Sequence, residues 1–383
     1  MKVQLLELHL SQLLCAWSKS KHNKYSDKNK NLYHDGLKLL IKKITDEDFY
    51  TLSPSELDIR KKIIDFIFKS LEFLNQSTLN EFPVEIVECL NVALKDWIDT
   101  DDFIIVTSLN NDLLSYSFDP KIAFDSQLFF IVKDTYGVEF EKRLLQINLP
   151  QSLSRDYLAN VVLYHELGHF IEIKYQISYS LAFDIVNKMQ RGLFISDEVD
   201  ILKIYFPYID DSTIANNNKL LQVYHHLREY FSDIFASQYI SKCSNYYLEF
   251  ITNNSPDYNS THPSTTNRIQ LVDNFIDGKP NFLITLLNDA TRKTTLSKSL
   301  DVRYNEFNFD DFVNLLPIVI DNENQLSYLY IKAWELWNNY SKDFENQNNI
   351  AIELKQSKIY EIINNLIEKS INNFIITESW KRI

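Results

Sequence analysis

The chain has little of what breaks helices: five glycines and nine prolines in 383 residues. With abundant Leu, Ile, Lys and Glu, that scarcity favours helix. Cysteine is scarce too. Cys15, Cys89 and Cys243 lie far apart, cannot all pair and show no metal-binding spacing, which argues against a disulfide-stabilised secreted fold. No run approaches the 18 apolar residues that mark a membrane-spanning helix. Glu7 and His9 interrupt what would be the core of a signal peptide, so the first residues read as an amphipathic helix. An excess of basic charge is missing as well. The formal charge of −13 argues against general nucleic-acid binding. The basic run from Lys19 to Lys30 is the local exception and reads as a solvated loop between helices. On these grounds the simplest location is the cytoplasm. A hydrophobic content of 45% and an aromatic content of 14% fit a folded globular chain of two or three domains.

What the chain does have is the run His165-Glu166-Leu167-Gly168-His169, an H-E-x-x-H pattern in a stretch that reads as helix. Histidines four residues apart lie about 40° apart around a helix, so both imidazoles reach one ion. The glutamate between them acts on a water bound to that ion, which is the minimal kit for zinc-dependent peptide hydrolysis. The flanks, Ala159 to Tyr164 and Phe170-Ile171, are apolar on nearly every side. Such a helix is buried, and buried histidines and carboxylates need partners. Gly168 costs about 1 kcal/mol against alanine in mid-helix, so something is expected to pack close to the backbone beside His169. The plainer reading is a core helix with two satisfied histidines.

A hydrolytic zinc site needs a third protein ligand. The best candidate lies in the segment from Tyr224 to Asp233, also read as helix, where Leu220, Val223, Tyr224, Leu227, Tyr230, Phe231, Ile234 and Phe235 form an apolar stripe. Glu229 and Asp233 stand one turn apart on the other side. One can bind metal while the other holds a ligand histidine by its second nitrogen. A solvated polar face is the alternative, and His225 or His226 could replace Glu229 as ligand. A third cluster runs from Thr261 to Ile269. There His262 could donate to a developing oxyanion, and Arg268 could hold acidic groups or a substrate carbonyl.

Together the three clusters resemble the gluzincin metallopeptidases, most closely the HtpX and CAAX prenyl protease family. That family carries H-E-x-x-H, then E-x-x-x-D on a later helix, then a T-H-P-x-x-x-x-R-I run. The resemblance covers roughly residues 100–275. It implies a Zn2+ ion held by His165, His169 and Glu229, with Glu166 as general base and Asp233 orienting a ligand. It further implies that His262 and Arg268 flank the transition state, and that the substrate is a protein or peptide. Two departures stand out. Ser232 occupies the position of the family's small alanine, and the sequence has no membrane span where many relatives are integral membrane proteins.

The expected fold is α+β and predominantly helical. A zincin-like core with a small sheet (101–275) is flanked by helical regions at 1–100 and 276–383. Ser53-Pro54-Ser55-Glu56 is a helix start, and another helix follows Pro83. Strands are expected at Phe103 to Val106, Leu128 to Val132 and Leu145 to Leu149. The last is either an edge strand that pairs with substrate backbone or an ordinary sheet strand. Residues 176–220 read as a helical insertion that could roof the cleft. Helices are expected around Tyr328 to Trp337 and Ile359 to Ile371, with a turn at Asn346 to Asn349 between them. The helical flanks could restrict access or bind a regulatory partner. The functional expectation is a zinc endopeptidase. The alternatives are a zinc-binding regulatory or interaction protein without turnover and a secreted toxin-type gluzincin.

Overall fold

The computed structural model describes residues 3–25, 27–77, 84–99, 102–112, 115–252, 257–339, 348 and 354–381. They are predominantly helical with one small sheet, the α+β class expected. The chain divides into two compact units, Met1–Pro83 with Ile98–Ser154 and Val84–Trp97 with Arg155–Ile383. This division runs across the expected boundaries. The strands go with the N-terminal helices, and residues 276–383 go with the helices that carry the H-E-x-x-H and E-x-x-x-D runs.

The first unit opens with α1 (Val3–Ser20), α2 (Lys28–Thr45) and α3 (Pro54–Gln76). Helix α3 starts where expected. The Ser53 side chain accepts from the Glu56 N–H, Glu56 accepts from the Ser53 N–H, and Pro54 sits in the first turn. Leu37, Leu40, Ile44, Ile63, Ile67 and Leu71 bury one shared apolar core. Next in chain order is α4 (Val84–Lys95), which belongs to the second unit. The sheet comprises β1 (Phe103–Asn110), β2 (Ser117–Asp119) and β3 (Arg143–Pro150), in the order β1-β3-β2. Strand β1 pairs with β3 in parallel from Phe103↔Arg143 to Asn110↔Pro150, and β2 pairs antiparallel from Ser117↔Asn148 to Asp119↔Gln146.

One strand expectation needs correction, and one pair of alternatives is decided. The run Leu128 to Val132 is helix, not strand. After a short α5 (Lys121–Phe124) it forms α6 (Ser126–Tyr136), capped by the Asp125 carboxylate on the Leu128 N–H and ended by Gly137 in the left-handed region at φ 61°. Val132 and Tyr136 face the core while Phe130 is 68% exposed, so the apolar run is a helix face; a short apolar run does not reveal its period. Strand β3 exists as expected but is the central strand, partnered on both sides, so it offers no continuous free edge. The alternation also fails at Gln146, which is buried, as befits a strand covered on both faces.

The second unit continues with α7 (Val162–Tyr175), α8 (Ile177–Gln190), α9 (Ser196–Tyr205), α10 (Asn216–Ile240), α11 (Cys243–Thr252), α12 (Thr265–Ile276) and α13 (Phe282–Thr295). After α14 (Asp310–Val313) come α15 (Leu326–Asn339) and α16 (Gln356–Lys381). Of the expected turn at Asn346 to Asn349, only Asn348 lies within the described residues. Helix α10 is the axis of this unit: from Glu229 to Ile240 every residue is buried. It packs against α7, α8, α11, α12 and α15. The approach to α7 is anchored from the C-terminal helices. Asn364 Oδ1 accepts from the Tyr157 and Leu158 N–H groups, and the Trp334 indole donates to the Leu158 carbonyl. The far end of α7 is tied to the residues after α4, where Tyr175 donates to the Trp97 carbonyl at 2.7 Å. Among the described residues no helix is long and apolar enough to cross a membrane.

The tightest crossing is that of α7 over α10. A Cβ on Gly168 would stand 2.7 Å from Ser232 Cα and 3.0 Å from Ser232 Cβ, so hydrogen is the only side chain the crossing admits without movement. This is the close approach expected beside His169. Gly168→Ala gains about 1 kcal/mol of helix propensity but must push two backbones apart, at a cost of about 1–3 kcal/mol. The expected outcome is a lower denaturation midpoint for the metal-free protein; an unchanged or raised midpoint would show that the crossing yields.

Candidate metal centre

One turn of α7 puts His165 and His169 on the same face, their rings 4.6 Å apart and nearly perpendicular. Helix α10 brings Glu229 against them. His165 Nε2 is 3.5 Å from Glu229 Oε2, and His169 Nε2 is 3.4 Å from Glu229 Oε1. Ligand atoms of all three lie within 4.8 Å of one another, and among the described residues this is the group able to hold a metal ion. The outer ring nitrogens are engaged elsewhere. His165 Nδ1 meets Asp233 Oδ1 at 2.9 Å, and His169 Nδ1 meets Ser232 Oγ at 3.0 Å. Each histidine is therefore held from behind with Nε2 turned toward the carboxylate.

This donor set fits a small divalent cation. Four ligands about 2.0–2.1 Å from a tetrahedral ion stand about 3.3–3.4 Å apart. Each histidine nitrogen stands near that distance from one oxygen of the Glu229 carboxylate, Oε2 for His165 and Oε1 for His169. These separations are too long for strong charge-assisted hydrogen bonds, which close to about 2.7–2.9 Å.

The acids do not lie on a solvated face. Glu229 is 8% and Asp233 3% exposed. Arg268 of α12 compensates them. Its Nε and Nη2 donate to Asp233 Oδ2 and Oδ1 at 2.7 and 2.8 Å, and Nη2 is 3.3 Å from Glu229 Oε2. Of the two roles expected for Arg268, holding acids is the one this geometry displays, since the guanidinium is buried against both carboxylates.

Burial sets the charges. It works against a charged His165, but Asp233 and Glu229 outweigh it and raise that pKa to about 10. His169 has no such carboxylate behind it, and burial lowers it to about 3. Burial disfavours ionised Glu229 and Asp233, yet the surrounding cations hold both below their ordinary values. Glu166 has no comparable partner, and burial pushes it up to about 7.

His262 reaches the group from the loop before α12. Its Nε2 is 3.9 Å from Glu229 Oε1, and its side chain is 57% exposed. Asn259 builds that loop: its side-chain oxygen accepts from the Thr261 N–H, the Thr261 hydroxyl and the His262 N–H. His226 fastens Asn259 to α10, with Nε2 2.8 Å from the Asn259 carbonyl and Nδ1 3.0 Å from the Tyr208 hydroxyl. Both nitrogens are thus occupied and the ring is buried, so His226 does not replace Glu229. Burial lowers its pKa to about 4. His225 is half-buried against Tyr224 and lies outside the metal-binding group. Sequence reading did not anticipate this fastening or the Ser232 contact. Only the serine in place of alanine signalled the latter.

Residues 144–276 match the model of Peptidase family M48. The matched segment is about a third of the chain and contains α7, α10 and the His262 loop. It supports a metallopeptidase of that family without singling out the HtpX and CAAX prenyl protease branch. No curated protein and no solved structure matches the chain.

The charge pattern gives a pH dependence. At pH 7.5 His165 holds a proton, His169 does not and Glu229 is ionised. A cation must displace the His165 proton, so uptake releases about one proton from the ligands. Apparent affinity then climbs with pH by up to about tenfold per unit until pH approaches 10. Calorimetric titration of the metal-free protein with Zn2+ in buffers of different ionisation enthalpy measures this; a pH-independent affinity between 7 and 9 would contradict it.

Proposed function

We propose that the chain is a zinc-dependent endopeptidase acting on a protein or peptide substrate. The observation that carries this reading is the convergence of His165, His169 and Glu229, whose ligand atoms lie within 4.8 Å of one another. The match of residues 144–276 to a peptidase family also supports it. Zinc held by these three groups supplies an acidified water and polarises the scissile carbonyl. The remaining chemistry belongs to the side chains around it.

Glu166 is the general base. It takes a proton from the attacking water and delivers it to the leaving amine. Burial raises its affinity for a proton, which favours taking one from water and holding it for the leaving amine. Asp233 and Arg268 keep His165 and Glu229 in place. His262 is assigned to the developing oxyanion. The Thr261 hydroxyl donates to Asn259 and so accepts from His262 Nδ1, which leaves Nε2 a donor only when the ring is an imidazolium. The cytoplasmic setting belongs to the same proposal, supported by three free thiols, two of them buried.

Glu166→Gln is expected to retain zinc and lose roughly 10²–10⁴-fold in turnover of a denatured protein substrate. Glu229→Ala is expected to lose zinc. Chelator-sensitive cleavage by the intact protein checks the assignment. A chain that binds zinc yet cleaves nothing, with Glu166→Gln indistinguishable from it, would favour a non-catalytic zinc protein.

A further inference from the structure

We infer that Ser232 is a positioning residue for the metal centre, holding His169 through its Nδ1. The inference rests on the zinc reading of His165, His169 and Glu229. It begins from the contrast between the two histidines. His165 is backed by the Asp233 carboxylate, as the E-x-x-x-D spacing anticipates. His169 is backed by a hydroxyl, Ser232 Oγ, at 3.0 Å.

A histidine that offers its Nε2 lone pair to a cation carries its proton on Nδ1. That N–H points into the α7–α10 contact, where water does not reach Ser232, which is fully buried. A buried donor without an acceptor is costly and leaves the ring free to turn. Ser232 Oγ supplies the acceptor.

Packing does not account for the hydroxyl. The crossing demands a small residue opposite Gly168, because a Cβ there would meet Ser232 Cα and Cβ. Alanine satisfies that demand as well as serine, and its Cβ occupies the same place. What serine adds is one oxygen, and that oxygen lies on the His169 ring. The same close approach that excludes a side chain at Gly168 brings Ser232 within reach of the neighbouring His169. The asymmetry also has a charge consequence. A hydroxyl fixes the ring without adding a third buried anion beside Glu229 and Asp233.

The test compares the full-length protein with Ser232→Ala in zinc affinity, measured by chelator competition, and in thermal unfolding of the metal-free form. The variant is expected to bind zinc about 10–100-fold more weakly while unfolding close to the wild-type midpoint. Isotope-edited NMR of the zinc-loaded wild type is expected to show a slowly exchanging Nδ1–H on His169, absent from Ser232→Ala. Equal zinc affinity in the two proteins, or a wild-type His169 Nδ1–H in fast exchange with water, overturns the inference. So does an affinity loss matched by collapse of the metal-free fold, which marks a purely structural serine. If the wild type takes up no zinc, the metal reading itself fails and this inference falls with it, an outcome distinct from equal affinity in both.

Discussion

Two carboxylates buried one turn apart on α10 are the constraint around which the second unit is organised. Glu229 and Asp233 repel each other, and removing either from water without compensation costs several kcal/mol. The compensation comes from two other helices. Arg268 of α12 binds both acids, and His165 of α7 meets the same two carboxylates. Three helices that are distant in sequence are therefore locked together by charge as well as by apolar packing. The arrangement is specific in a way that burial of Leu and Phe is not, because displacing one helix strands an unpaired charge in the interior.

The steric half of the constraint is the missing side chain at Gly168. Charge pairing needs α7 and α10 closer than ordinary side chains allow, and one glycine facing Ser232 permits it. From there the geometry propagates. The crossing point fixes where His165 and His169 emerge relative to Glu229. The pairs on the outer nitrogens, Asp233 for one and Ser232 for the other, fix how each ring is turned. A second link runs outward along α10, where His226 fastens Asn259 and so the loop that carries His262.

Much of this centre was legible in the sequence because it is written at helical spacing. The four-residue step of His165 and His169, the same step of Glu229 and Asp233, and the out-of-place Gly168 each imply a face and a close neighbour. What could not be read was whatever depended on which surfaces meet. The run Leu128 to Val132 is compatible with strand or helix, and only the Asp125 cap and Gly137 stop make it a helix. Leu145, Ile147 and Leu149 alternate correctly, but nothing local says that β3 is flanked on both sides. Arg268 could have faced substrate or acid, and the bidentate pair with Asp233 exists only once α12 has docked. His226 looked like a ligand candidate because the sequence does not reveal that Tyr208 and Asn259 occupy its nitrogens.

The charge balance of the centre connects metal uptake to the base. Without a cation, His165 and Arg268 offset Glu229 and Asp233, and the cluster is near neutral with Glu166 poised at about 7. Under the proposed reading, a dication replaces one proton on His165 and leaves the cluster one positive charge in excess. Glu166 is a buried carboxyl able to answer that excess, because burial holds it near its midpoint. Loading the centre thus draws Glu166 toward its ionised form, the form a general base requires. A carboxyl burial-shifted in this way is partly protonated without the cation and, under that reading, ionised and free to accept a proton beside it. The same low dielectric that makes the paired acids costly to bury is what makes that coupling strong.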